Sequence, residues 1–441
     1  MRLTRFVEWP ATDNSSANLG LNISSCPRET AIYLLHIAAE VEHALMAQYL
    51  YAAYSLGGDH LSPEHQRIAD QWKKTVAQIA REEMAHLATV ENLLTLIGGP
   101  ICFDREDYPT PADLYPFPLE LEPLSRHSLG KYILAESPSD EAIKRLGLTQ
   151  EIEEIKRVLD NPVDKHKVHR VGLVYDTLIN LFTVPPQARD PEAKPTPFVA
   201  QCDISADSIR HQVRAQEWGL GYTDLLIKTA QNRDDAVAAI QAIAQEGEGS
   251  DISDFEKSHF GRFLNIYRKF PQSEWSPSRN VAHNPSTQNT GKGQYIGNPV
   301  ALTWAQLFNL RYRMLLMYLA HSFAIEAPVA STARTPRGLL ISWSFGEMYN
   351  LRSIAEILMT QPLNTADKGM RAGPPFEMPY SLALSPYDKE RWRTHRDLVL
   401  ASGDYIRALK KHGNPDWERY LLGLESANKT ALDQILTMIG A

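Results

Sequence analysis

Only three cysteines occur in 441 residues, Cys26, Cys102 and Cys202, an odd number spaced too widely for a disulfide framework or a Cys-x-x-Cys zinc site. That scarcity points to a reducing compartment, and a cytoplasmic location is expected. There is no basic excess. Against 45 Lys and Arg stand 53 Asp and Glu, a net charge of −8, which excludes the electrostatic footprint that nucleic acid or an anionic membrane surface requires. No uncharged apolar run approaches 18 residues; the nearest, Met314 to Ala320, is far too short to span a bilayer. The opening Met-Arg-Leu-Thr-Arg-Phe-Val-Glu-Trp-Pro lacks the unbroken apolar segment of a signal peptide. The glycine-rich tract Gly291 to Gly297 has no Gly-Lys-Ser/Thr and no preceding strand, so it is not a phosphate loop. A Gly-x-Ser-x-Gly elbow is also missing. The partners expected are small molecules or proteins, and a homo-oligomer is compatible with the composition.

What the chain does have is helix. Hydrophobic residues make up 43% and charged residues 22%, the mix of a folded globular chain. Glu29 to Leu56 contains neither Pro nor Gly and is rich in Ala and Leu, which predicts one long helix ended by Gly57-Gly58. Ser62-Pro63 is a helix start, and the pattern then runs to Ile97 before Gly98-Gly99-Pro100. Two such helices joined by a few residues form an antiparallel pair of a bundle. The Pro- and Asp-rich stretch from Ile101 to about Ser125 reads as an ordered crossover. Further helices are expected over Asp140–Asp160, His166–Phe182, Ala206–Thr229, Asp234–Glu248, Asp254–Phe270, Leu302–Glu326, Arg337–Thr360, Trp392–Lys411 and Pro415–Met438. Ser, Asn, Gly and Thr dominate between Pro271 and Pro299. The expected division is an N-terminal extension (1–28), a metal-binding bundle (29–270), a linker or surface loop (271–299) and a C-terminal helical region (300–441).

Chemistry is concentrated in the first two helices. Glu83 and His86 are three apart and share a helix face, so carboxylate and imidazole aim at one point. The first helix, otherwise almost wholly apolar, carries Glu40-Val41-Glu42-His43 at its middle, and a carboxylate buried there costs several kcal/mol unless it is paired or metal-bound. Acidic interruptions at matching depth in neighbouring helices share an explanation if a metal ion lies between them. Spacing alone leaves Glu42 and Glu40 in competition, with His43 and His36 on the Glu40 stripe. Tyr49, two turns beyond Glu42, is a candidate hydrogen-bonding or redox-active tyrosine beside the metal.

The blocks Glu42-His43-Ala44, Gln48-Tyr49-Leu50-Tyr51, Arg81-Glu82-Glu83-Met84-Ala85-His86-Leu87, Asn92-Leu93-Leu94 and Ile97-Gly98-Gly99-Pro100 resemble the ferritin-like domain family. Together with Gly247-Glu248-Gly249, Ser258-His259-Phe260 and Ala372-Gly373-Pro374-Pro375-Phe376-Glu377, they resemble its branch of iminophenyl-pyruvate dimer synthases from violacein and indolocarbazole biosynthesis. The resemblance implies an all-α, ferritin-like four-helix bundle with long crossover loops and additional C-terminal helices. It implies Glu42, Glu83, His86, Glu248 and His259 as metal ligands. On the third core helix the family carries a Glu where this chain has Leu173, and His169 or Asp176 is the candidate replacement. The implied cofactor is iron, mono- or dinuclear, with manganese as the alternative. The implied reaction is oxidation or oxidative coupling of an aromatic amino-acid-derived small molecule with dioxygen or peroxide in natural-product biosynthesis. The rival readings are a manganese-catalase-like removal of peroxide and a non-catalytic metal-binding scaffold.

Overall fold

The computed structural model describes residues 26–110, 118–159, 171–183, 198–218, 227–248, 255–272, 274–326, 335–366, 369–378 and 382–440. The chain divides into two compact units. The first comprises the described parts of Met1–Arg105, Thr110–Leu119 and Leu124–Ser278; the second comprises Glu106–Pro109, Glu120–Pro123 and the described parts of Arg279–Ala441. The change between them at Ser278 and Arg279 falls within the stretch 271–299.

In the first unit, α1 (Pro27–Ser55) and α2 (Pro63–Leu96) pack along their lengths. Both begin with Pro in the first turn, where its missing N–H has no partner to lose. Ser62 caps α2 by accepting the amide of His65. α1 is buried on all sides through most of its length, as a helix with apolar residues all round must be. α6 (Val171–Phe182) packs on α1, and α8 (Arg233–Glu248) packs on α6 and α2, closing a four-helix bundle. α3 (Arg126–Ala135) and α9 (His259–Lys269) pair with each other at one side, α9 also touching α2 and α8.

Three expectations change here. The span Asp140–Asp160 is two helices, α4 (Asp140–Arg145) and α5 (Thr149–Val158), because Gly147 between them takes φ +72°, a left-handed turn that an α-helix cannot continue through. In Ala206–Thr229 the described residues hold only the short α7 (Ala206–Ile209) and a 3₁₀ turn at Ala215–Trp218. Side-chain amides have taken the backbone groups a helix would use: Asn92 bonds both N–H and C=O of Val213, and Gln212 does the same to Ala230. The third change is a gain, since α3 lies where no helix is expected. Its start is a capping box between Ser125 and Ser128.

The second unit is built on α10 (Pro299–Phe323), α11 (Pro336–Leu358), α12 (Asp388–Lys410) and α13 (Pro415–Ile439), with α10 against α11 and α12, and α12 against α13. Met314, Tyr318, Leu340, Trp392 and Ile435 lie in its core. Inside it Arg311 bonds Glu347 at 2.8 Å, with Ser402 and Asn428 taking its other nitrogen. Among the described residues no helix is long and apolar enough to cross a membrane.

Candidate metal centre

Five elements of the first unit deliver side chains to one point. α1 supplies Glu42 from its buried middle, and α2 supplies Glu83 and His86 from one face. α3 ends in Glu136, α8 contributes Glu246 from its last turn, and α9 opens on His259 directly after its cap, Ser258. Glu42, Glu83, His86 and His259 are at most 2% exposed.

Glu83 is the hub. Its Oε2 is 3.0 Å from His86 Nδ1 and its Oε1 is 2.8 Å from His259 Nδ1, so one carboxylate presents an oxygen to each imidazole. The two rings face one another with centroids 5.4 Å apart. Glu42 Oε2 approaches His86 Nδ1 at 3.4 Å, Glu246 Oε2 meets His86 Nε2 at 3.0 Å, and Glu136 Oε2 lies 3.7 Å from His259 Nδ1. Two phenols hold the outer oxygens. Tyr175 of α6 donates to Glu42 Oε1, and Tyr49 donates to Glu136 Oε1 at 2.5 Å. Tyr49 is itself fixed between Tyr132 and Phe263.

Burial and crowding set the charges. Burial first, then the charge of Glu83, pushes the Glu42 carboxyl up. Burial would also raise Glu83, but the neighbouring His259 brings it below the ordinary range. Burial works the other way on the imidazoles, yet His86 is held well above its usual value by Glu246, Glu42 and Glu83, and His259 by Glu83, Glu136 and Glu82. The cluster is thus an anionic pocket that recruits positive charge.

Whether these residues fit a metal is decided by the atoms left over. Glu42 Oε2, Glu83 Oε1 and both ring nitrogens of His259 are buried without an aligned hydrogen bond, although they sit within ion-pair distance of other groups in the cluster. Leaving such atoms unsatisfied costs about 1–3 kcal/mol each. The two carboxylate oxygens and one ring nitrogen of a neutral His259 carry lone pairs that a cation satisfies, the other ring nitrogen being an N–H donor. The donor atoms of Glu83, His86 and His259 lie within 4.8 Å of one another, close to the span across a sphere of bonds of about 2.1 Å. Beside them is a small cavity of about 20 Å³, lined by Glu42, Glu83, His86, Glu136 and Tyr175 and by small residues including Gly172 and Gly247. Gly247 allows a close approach: a Cβ there would stand 3.2 Å from Glu136 Oε2, so that carboxylate would have to shift by a few tenths of an ångström.

Of the residues expected from sequence, the structure brings together Glu42, Glu83, His86 and His259. Glu42 rather than Glu40 faces the cluster. His36 instead bonds the carbonyl of Pro100, and His43 is buried beside Arg105 and Phe103. His169 and the side chain of Glu248 lie outside the described residues. Leu173 and Asp176 are half-buried on α6, whose cavity-lining residues are Val171, Gly172 and Tyr175. Sequence reasoning missed Glu136 and Glu246. Glu136 had a signal, an acidic residue ending the short apolar run Tyr132 to Ala135, and Glu246 stands three residues after Ile243 on the apolar stripe of α8.

A family model described as ferritin-like matches residues 35–268. The chain is 27% identical over 422 residues to dichlorochromopyrrolate synthase from Lentzea aerocolonigenes, an alignment covering 86% of this chain and 39% of that protein. The chain therefore spans well under half the length of that curated relative. Among solved structures it is similar to a ferritin-like protein from Caulobacter vibrioides, with 18% identity and a TM-score of 0.42 over 75% of this chain and 97% of that one.

Proposed function

The chain belongs to the ferritin-like family, and from that premise we propose that it is an iron-dependent oxidoreductase acting on an aromatic amino-acid-derived small molecule in natural-product biosynthesis. The observation that carries the proposal is Glu83 between His86 and His259, with buried lone pairs left over on all sides. Mixed carboxylate and imidazole donors suit iron or manganese rather than magnesium or a soft metal. Glu42, Glu83, Glu136 and Glu246 would hold the metal with His86 and His259. These four carboxylates, with the imidazoles neutral, match the charge of two divalent ions, and we assign the centre as dinuclear.

Bound iron supplies one-electron chemistry with dioxygen or peroxide. The rest falls to the chain itself. Tyr175 and Tyr49 fix the orientation of Glu42 and Glu136 through their hydroxyl groups, so that each turns its other oxygen inward. Burial keeps bulk water from the reacting atoms. Gly172, Ala135, Ala244 and Gly247 leave open volume beside the carboxylates. An aromatic substrate is supported by the relationship to a protein named dichlorochromopyrrolate synthase across most of this chain.

The test is oxidant consumption by the iron-loaded protein with and without aromatic imines or keto acids derived from tryptophan and phenylalanine. Faster consumption with an aromatic partner supports the proposal, since the organic partner completes the site. Rapid peroxide dismutation that no aromatic compound alters favours the catalase-like reading. No turnover by metal-loaded protein favours a scaffold.

A further inference from the structure

Glu82, beside Glu83 on α2, belongs to the neighbourhood of the centre without lining its cavity. Adjacent helical residues diverge by about 100°, so Glu82 cannot enter beside Glu83; it reaches the far side of His259 instead. There its Oε2 lies 3.2 Å from His259 Nε2, within hydrogen-bond reach though off axis, while Nδ1 of the same ring faces Glu83. Glu82 is itself held firmly. Arg262, one turn after His259 on α9, contacts it with both terminal nitrogens, NH1 at 3.3 Å from Oε1 and NH2 on Oε2, and Gln78 donates to Oε1 at 3.1 Å.

Two roles fit a carboxylate here. Glu82, Glu246 and His259 also present donor atoms within 4.8 Å of one another, so Glu82 as a ligand has to be weighed. The guanidinium decides against it, because Arg262 sits on Oε2, the same oxygen that faces His259, and a metal ion there would stand against a fixed positive charge. A carboxylate already neutralised by arginine has little left for a cation.

We infer that Glu82 and Arg262 are positioning residues: Glu82 accepts the Nε2–H of His259, fixing the tautomer that leaves the Nδ1 lone pair for the metal, and Arg262 anchors Glu82 from behind. The inference rests on the metal-centre reading above. A ligating histidine commonly gives its second N–H to a carboxylate, which orients the ring and makes it a stronger donor. Off-axis contacts of this kind tighten when the ring takes its bound orientation.

Cobalt(II) titration of the metal-free protein tests this, read by ligand-field absorption and by competition with a chelator. Parent, Glu82→Gln and Glu82→Ala should take up the same number of ions at saturation. Affinity should fall about tenfold in Glu82→Gln, whose amide oxygen still accepts from Nε2–H, and up to about 100-fold in Glu82→Ala. The absorption bands should shift in both variants, which a role in stability alone would not cause. If Glu82→Ala does not fold, Glu82→Gln and Arg262→Gln carry the comparison, each expected to weaken binding and shift the bands. Affinity and spectrum unchanged within about twofold would overturn the positioning role, and loss of one ion at saturation would make Glu82 a ligand instead. A parent that binds no cobalt overturns the metal centre itself, an outcome distinct from both.

Discussion

Replacing Glu42 by Gln should stabilise the metal-free protein while impairing its metal binding. Gln keeps the shape of the side chain and an oxygen for the Tyr175 hydroxyl, but removes the charge that burial and Glu83 disfavour. That disfavour lifts the Glu42 carboxyl from its ordinary 4.5 to about 8. Between those values the folded protein holds a proton that the unfolded chain releases, so stability falls as pH rises through this window and levels off above it, where the cost of the buried charge is complete. At about 1.4 kcal/mol per pH unit, the 2.5 units from 4.5 to pH 7 amount to about 3 kcal/mol. Gln carries no such dependence. Urea unfolding in the presence of chelator, followed by a probe in the first unit, should show Glu42→Gln and parent alike near pH 5, with the variant ahead by about 3 kcal/mol at pH 7. A variant no more stable than parent at pH 7, or a difference that does not change with pH, would refute the reasoning. The same variant should bind iron more weakly, making Glu42 a residue kept for function at a cost in stability.

Gly247→Ala should lower metal affinity by pressing on Glu136, with an effect on unfolding of about 1 kcal/mol, measured by metal titration and urea denaturation together. Leu173→Glu should leave metal stoichiometry unchanged, because the α6 face toward the cavity is Val171, Gly172 and Tyr175; an added equivalent of metal would show that helix to be turned otherwise. In the second unit, burial outweighs Asp388 and depresses His321 to about 4, so its contribution is complete above pH 6.5 and is lost as pH falls toward 4. That loss is about 3 kcal/mol, and His321→Gln should flatten the acid side of the unfolding profile monitored at Trp392.

Long helices with strong ends were the legible part of the fold. α1, α2, α10, α11 and α13 each start with a proline in the first turn, and their apolar residues run far enough for pattern to exceed chance. Glu83 and His86 were legible because a helix converts a three-residue spacing into a shared face. The parts of the centre that depend on contacts between distant segments were less readable. Glu136 follows a ten-residue helix, too short for periodicity to reveal, and its partners Tyr49 and His259 lie 87 and 123 residues away. Glu246 stands in Gln245-Glu246-Gly247-Glu248, where neighbouring carboxylates differ only in which way the last turn of α8 points them. Val213 sits in a helical-looking stretch and Ala230 just beyond its end, and nothing local signals that Asn92 and Gln212 hold their backbone groups.

Metal content of protein purified without added chelator tests the central claim most directly. Parent protein should carry about two iron or manganese ions per chain, and a Glu83→Ala, His86→Ala double variant with undiminished helical circular dichroism should carry none. A parent without stoichiometric metal, or a double variant that retains it, would contradict the account.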